Sequence, residues 1–116
     1  MVDRVEPERR DTAEYGLQLV RRLANFQQVA YAGPRVYGHL VQLGYELGDA
    51  CALLQQLEPE HFHQALRYSP RGPWHDVYLL PHPADDDPGQ RLYIKFHVDG
   101  SCVTLTLCSM HPEGWT

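Results

Sequence analysis

Residues Leu92 to Leu107 read LYIKFHVDGSCVTLTL, and this stretch decides the fold. Two alternating runs flank Asp99-Gly100, a dipeptide suited to the positive φ angles of a type I′ turn. A two-residue loop sets Val98 opposite Ser101, Phe96 opposite Val103, Ile94 opposite Leu105 and Leu92 opposite Leu107. It also sets Tyr93 against Thr106, Lys95 against Thr104 and His97 against Cys102. One face of the predicted hairpin is therefore apolar, and the other carries a phenol, an amine and an imidazole. A slip of one residue would exchange the faces, so the agreement of the two strands supports the pairing.

Outward from the hairpin, Trp74 to Leu80 reads as a further strand ended by Pro81. His82 to Gln90, HPADDDPGQ, is a polar connection, and Ser69-Pro70-Arg71-Gly72-Pro73 is a loop by composition. The first half of the chain reads as helical. Asp11 and Glu14 have capping-box spacing ahead of a stripe of Leu17, Val20, Leu23 and Ala24, which predicts a helix over about 11–25. Val29 to Ala32 is a short strand or a linker. Gly33-Pro34 opens a second helix that Gly44 stops, and a third follows Gly48. Pro59 opens a fourth, with Phe62 and Leu66 one turn apart. Residues 1–10 are charged and expected to be flexible, and 109–116 form a tail. The expectation is a single α+β domain over 1–116, with N-terminal helices on a small antiparallel sheet of three strands.

The chain has 116 residues, 43% hydrophobic, and a net charge of -5. With a mean hydropathy of -0.44 it reads as a soluble globular protein. No run has the length of a membrane span and no apolar leader core is present, so a cytoplasmic location is expected. Cys51, Cys102 and Cys108 form no CxxC pair, which suits reduced thiols. The negative charge argues against broad nucleic-acid binding, but its distribution is uneven: His61 to His75 and Arg91 to Val98 contain no acid.

Seven histidines need weighing. His61 and His63 would diverge on a helix and could not share a metal. His82 with Asp85, Asp86 and Asp87 lacks the spacing of a calcium loop and reads as a solvated acidic turn. No phosphate-binding glycine loop and no GxSxG elbow occur. No metal or cofactor is predicted. His97 facing Cys102 would permit an activated thiol, but no third group orients the pair. The remaining constellation is His75, Tyr93, Lys95 and His111, with Arg67, Arg71 and Tyr78 near in sequence. This inventory suits metal-free RNA cleavage: a base for the 2′-hydroxyl, cations for the phosphorane, and an acid for the departing 5′-oxygen. Histidine titrates near neutrality and can take either proton-transfer role.

Trp74-His75-Asp76-Val77-Tyr78, followed by Gly89-Gln90-Arg91-Leu92-Tyr93-Ile94-Lys95, resembles the MqsR toxins of bacterial toxin–antitoxin pairs. Those carry Trp-Gln-Asp-Val-Tyr and then Gly-Gln-Leu-Tyr-x-Lys at similar spacing. The similarity runs from roughly Asp11 to Leu107 and includes Arg21-Arg22-Leu23, Leu43-Gly44, Cys51, Phe62 and Tyr68-Ser69. The resemblance implies a RelE-like fold and a metal-independent endoribonuclease acting on mRNA. It also implies a cognate antitoxin, similar to MqsA, that bears zinc and reaches DNA through a helix-turn-helix domain. The family's strand tyrosine and lysine fall on Tyr93 and Lys95, and its glutamine falls on His75. Its helix lysine falls near His63 and Gln64, and its C-terminal lysine near Cys108, with His111 three residues on. The expected site is therefore His75, Tyr93, Lys95 and His111 for catalysis, and His63, Arg67, Arg71 and Tyr78 for RNA binding. The missing lysines favour an alternative, a non-catalytic binding module of the same fold.

Overall fold

A computed structural model describes residues 6–115. The sheet is six-stranded and mixed, larger than the three strands expected, in the order β1-β3-β4-β5-β6-β2. Its strands are β1 (Glu8–Arg10), β2 (Val29–Tyr31), β3 (Phe62–Arg67), β4 (Trp74–Pro81), β5 (Arg91–Val98) and β6 (Leu105–Pro112). The helices are α1 (Leu17–Asn25), α2 (Pro34–Leu43) and α3 (Leu47–Leu54). All neighbours pair antiparallel except β2, which runs parallel to β6.

The helices cover one face. Val20, Leu23 and Ala24 of α1, Val36 and Leu40 of α2, and Ala50, Leu53 and Leu54 of α3 are buried with Leu92, Ile94, Phe96 and Val98 of β5 and Leu105, Leu107 and Met110 of β6. Helix α2 begins at Pro34 as predicted and ends at Gly44 (φ 75°), where Tyr45 N–H returns to the Leu40 carbonyl at 2.8 Å. Only glycine takes that left-handed step without strain.

Several expectations change. The first helix starts only at Leu17, because Asp11 and Glu14 do not cap it: Glu14 forms an ion pair with Arg10, and the N-cap is Gly16. The predicted fourth helix is absent. Pro59–His61 makes a single 3₁₀ turn, closed by Glu58 and His61, and the chain then extends as β3. The Phe62/Leu66 spacing is a helical coincidence, since a bulge between Phe62 and Gln64 turns the two residues to opposite faces. Residues 8–10 are an edge strand rather than loose chain; residues 1–5 lie outside the described ones. Residues 109–112 belong to β6 rather than to a tail.

The hairpin register also differs. Val98 faces Leu105 and Phe96 faces Leu107, so β6 pairs four residues later than an Asp-Gly turn would dictate. Asp99 holds the wider loop: its Oδ1 accepts the Val103 and Thr104 N–H groups at 2.9 and 3.0 Å. Val103 is left 51% exposed. A second irregularity follows, with Phe96 opposite Leu107 but Lys95 opposite Ser109, and it brings His111 directly opposite Tyr93.

Candidate functional site

The helix-free face of the sheet carries the candidate chemistry. Alternation sends Leu92, Ile94 and Phe96 into the core and Tyr93, Lys95 and His97 to the other side. Register then aligns three rows across β4, β5 and β6: His75, His97 and Thr106; Val77, Lys95 and Ser109; Leu79, Tyr93 and His111. These outward positions include no acidic residue.

Tyr93 and His111 stack, with ring centroids 5.5 Å apart and planes 16° from parallel. His39 of α2 meets the edge of His111 at 4.8 Å, and Trp115 lies 5.7 Å from His39. Lys95 Nζ donates to Tyr68 Oη at 2.8 Å and lies 4.9 Å from that ring. Tyr68 in turn packs on the edge of His75, which packs on His97 at 4.9 Å. A continuous band of aromatic and titratable groups therefore crosses the face.

The electrostatics follow from half-burial under a cationic neighbour. Burial holds the imidazoles of His75 and His111 below the ordinary histidine range, and nearby positive groups, including Lys95, add to the effect. The His111 ring nitrogen that meets the Pro112 carbonyl at 2.8 Å opposes it in part. Burial also raises the Tyr93 phenol, with Lys95 pulling the other way. At neutral pH the face thus presents neutral imidazoles, a protonated phenol and an ammonium.

Of the predicted site residues, His75, Tyr93, Lys95 and His111 meet on this face. Tyr78 does not. It is 1% exposed, stacked on Phe96 at 5.8 Å, with its phenol raised to about 12 by burial, and no RNA can reach it. Arg67 points to the other side: it lies opposite Trp74, stacks over that ring and pairs with Glu8 at 2.8 Å. His63 sits exposed at the β3 bulge, and Arg71 sits exposed in the β3–β4 loop. The proposed His97–Cys102 pair does not form, since His97 faces Thr106 and Cys102 lies in the loop.

Arg9 was not among the expected residues. It lies opposite Leu66, on the same face as His75, and donates to Gln64 Oε1 at 2.8 Å. Its only sequence signal was a charged segment read as flexible. Asp76 was likewise unassigned. It is fully buried, and its two carboxylate oxygens accept the Glu14 and Tyr15 N–H groups at 2.9 Å each. It pins the segment leading into α1 to the central sheet.

Among the described residues no helix is long and apolar enough to cross a membrane. A search of curated proteins finds no match. The family model described as "Motility quorum-sensing regulator, toxin of MqsA" matches residues 12–111, a span that holds both sequence motifs, all three helices, β2 to β5 and all of β6 but Pro112. The chain belongs to this family of RelE-like α+β toxins, each the toxin of a toxin–antitoxin pair whose antitoxin is MqsA.

Proposed function

We propose that this toxin is a metal-independent endoribonuclease that cuts mRNA on the helix-free face of its sheet. The observation that carries the reading is the contiguity of Tyr93, His111, Lys95 and His75 on one rigid, acid-free surface. His111, neutral at physiological pH, is suited to accept the proton of a ribose 2′-hydroxyl. The 2′-oxygen then attacks the adjacent phosphorus. Charge on the phosphorane oxygens is met by Lys95, with Arg9 at the edge of the face. The bond to the 5′-oxygen breaks, and a proton from the Tyr93 phenol, or from His75 in its protonated form, meets the leaving oxygen. The products are a 2′,3′-cyclic phosphate and a 5′-hydroxyl end. Tyr68, His75 and His97 offer ring faces and edges on which unpaired bases can stack. Exposed Arg71 extends the cationic rim. In the cytoplasm the cognate antitoxin would restrain this activity, and any contact with DNA would come through that complex.

The test is incubation of purified protein with mixed-sequence RNA in EDTA, followed by mapping of the ends. Discrete cuts with cyclic-phosphate and 5′-hydroxyl ends are expected. Intact RNA from a folded protein would overturn the reading and leave a non-catalytic, protein-binding module.

A further inference from the structure

Beside the proton-transfer groups lies a second constellation. His75 of β4, His97 of β5 and Cys108 of β6 each point a ligating atom into one space, and these atoms lie within 4.8 Å of one another. Among the described residues this is the one cluster of histidine, cysteine or acidic groups with such convergence. It is assembled by the sheet itself. His75 and His97 lie one position beyond the Asp76–Phe96 pair on β4 and β5, their rings 4.9 Å apart, and Cys108 is the residue at the β5–β6 irregularity, where it stands beside Ser109 without its own partner on β5.

We propose that His75, His97 and Cys108 form a binding site for a single divalent cation of the zinc class. Two imidazoles and one thiolate are the donors that Zn²⁺ and Co²⁺ prefer, whereas magnesium and calcium demand oxygen. Zinc bond lengths of about 2.0–2.3 Å imply ligand-to-ligand separations of roughly 3.3–3.7 Å in a tetrahedron. A closure of about one ångström by side-chain rotation therefore suffices, with no movement of the strands. His75 Nδ1 is the one buried side-chain polar atom among the described residues without a hydrogen-bond partner. No hydrogen bond therefore has to be broken at Nδ1 for the ring to turn toward a metal. Cys108 Sγ has only a 3.7 Å contact to the Thr106 carbonyl. On binding, the thiol proton leaves to solvent and the sulfur pair forms the metal bond; a water completes the fourth position. The thiolate offsets one of the two charges, and Lys95 is turned toward Tyr68.

The consequence, which rests on the role of His75 in the proposed ribonuclease, is inhibition. A metal occupies the imidazole nitrogen that would carry the transferred proton, so zinc would switch the enzyme down without denaturing it.

Cobalt titration of the full chain tests the site independently of RNA. One equivalent of Co²⁺ should give visible d–d bands of a tetrahedral ion and a near-ultraviolet sulfur-to-cobalt band. Cys108→Ser should abolish the sulfur band. His97→Gln should weaken affinity by more than the roughly 10–100-fold that loss of an outer-shell partner costs. Cys102→Ser, a substitution of the exposed loop thiol, should leave the spectrum unchanged. Bands absent from the wild type, or retained in Cys108→Ser, would overturn the site. One equivalent of zinc should also suppress wild-type cleavage and spare Cys108→Ser. Normal bands with zinc-resistant cleavage would keep the site and overturn the proton-transfer role of His75.

Discussion

Tyr93 and His111 stand directly opposite each other on β5 and β6, with their rings stacked 5.5 Å apart. They are eighteen positions apart in the chain, and the displaced hairpin register together with the irregularity beyond Phe96 makes them neighbours. The pairing joins a protonated phenol to a neutral imidazole on an open surface.

Replacement of either partner should therefore strike the chemical step. Tyr93→Phe and His111→Ala are each expected to lower kcat by about 10²-fold or more, in the range of general acid–base contributions. The double variant should lose less than the product of the two, because the residues act as a unit. Single-turnover cleavage with saturating protein reads this directly. Wild-type rates in both variants would remove the pair from the mechanism.

The acid side of the pH profile should be displaced downward. Burial and neighbouring positive charge hold His111 below the ordinary value of about 6.5. A base must be neutral, so its active fraction falls as pH drops through that lowered pKa and is complete at neutrality. The acidic limb of kcat/KM is expected below about pH 6.5. A limb at or above that value would mean that another group limits the reaction.

Asp76 is expected to be a residue of the fold. Removing its carboxylate leaves the Glu14 and Tyr15 N–H groups without their acceptor. Asp76→Ala should cost about 2–3 kcal/mol, since each lost acceptor for a partly buried donor costs on the order of 1–3 kcal/mol. Urea denaturation measures this as a lowered midpoint at unchanged slope.

Two arginines one strand apart should behave differently. Arg67 is engaged by Glu8 on the far side of the sheet, so Arg67→Ala should leave RNA cleavage unchanged and shift stability by only about 0–1 kcal/mol. Arg9 shares the face with His75. Arg9→Ala should raise KM and reduce the salt dependence of RNA binding by about one charge. The opposite ranking would place the RNA on the helix-bearing side.

Much of this architecture was written in local pattern. The period-two runs around Asp99-Gly100 separated the wet side of β5 from its dry side, and Pro34 and Gly44 marked α2 at both ends. The WHDVY and GQRLYIK segments carried the family. These signals are local: alternation and capping depend on residues a few positions apart.

Register was a different matter. From Val98 to Phe96 the displacement is four residues, an even number that keeps Leu105 and Leu107 on the expected face, so alternation cannot tell it from the tight turn; the irregularity beyond Phe96 adds a fifth. Asp99 decided between them by accepting two loop N–H groups, which a two-residue turn would not contain. The nature of β3 was ambiguous for a related reason, because a spacing of four suits a helix and also an unbroken strand, and the bulge that sends Phe62 and Leu66 to opposite faces has no local signal. Sheet pairing with β1 and β4 settled it.

The sequence by itself determined the α+β class, the family and the two faces of β5, because each rests on local periodicity or ordered motifs. The tertiary structure alone decided that His111 meets Tyr93, that Cys108 joins His75 and His97, that Arg9 shares their surface and that Tyr78 is lost to the core. Those relationships depend on which backbone carbonyl each strand finds across the sheet, and that choice is made by packing and hydrogen bonding over the whole domain.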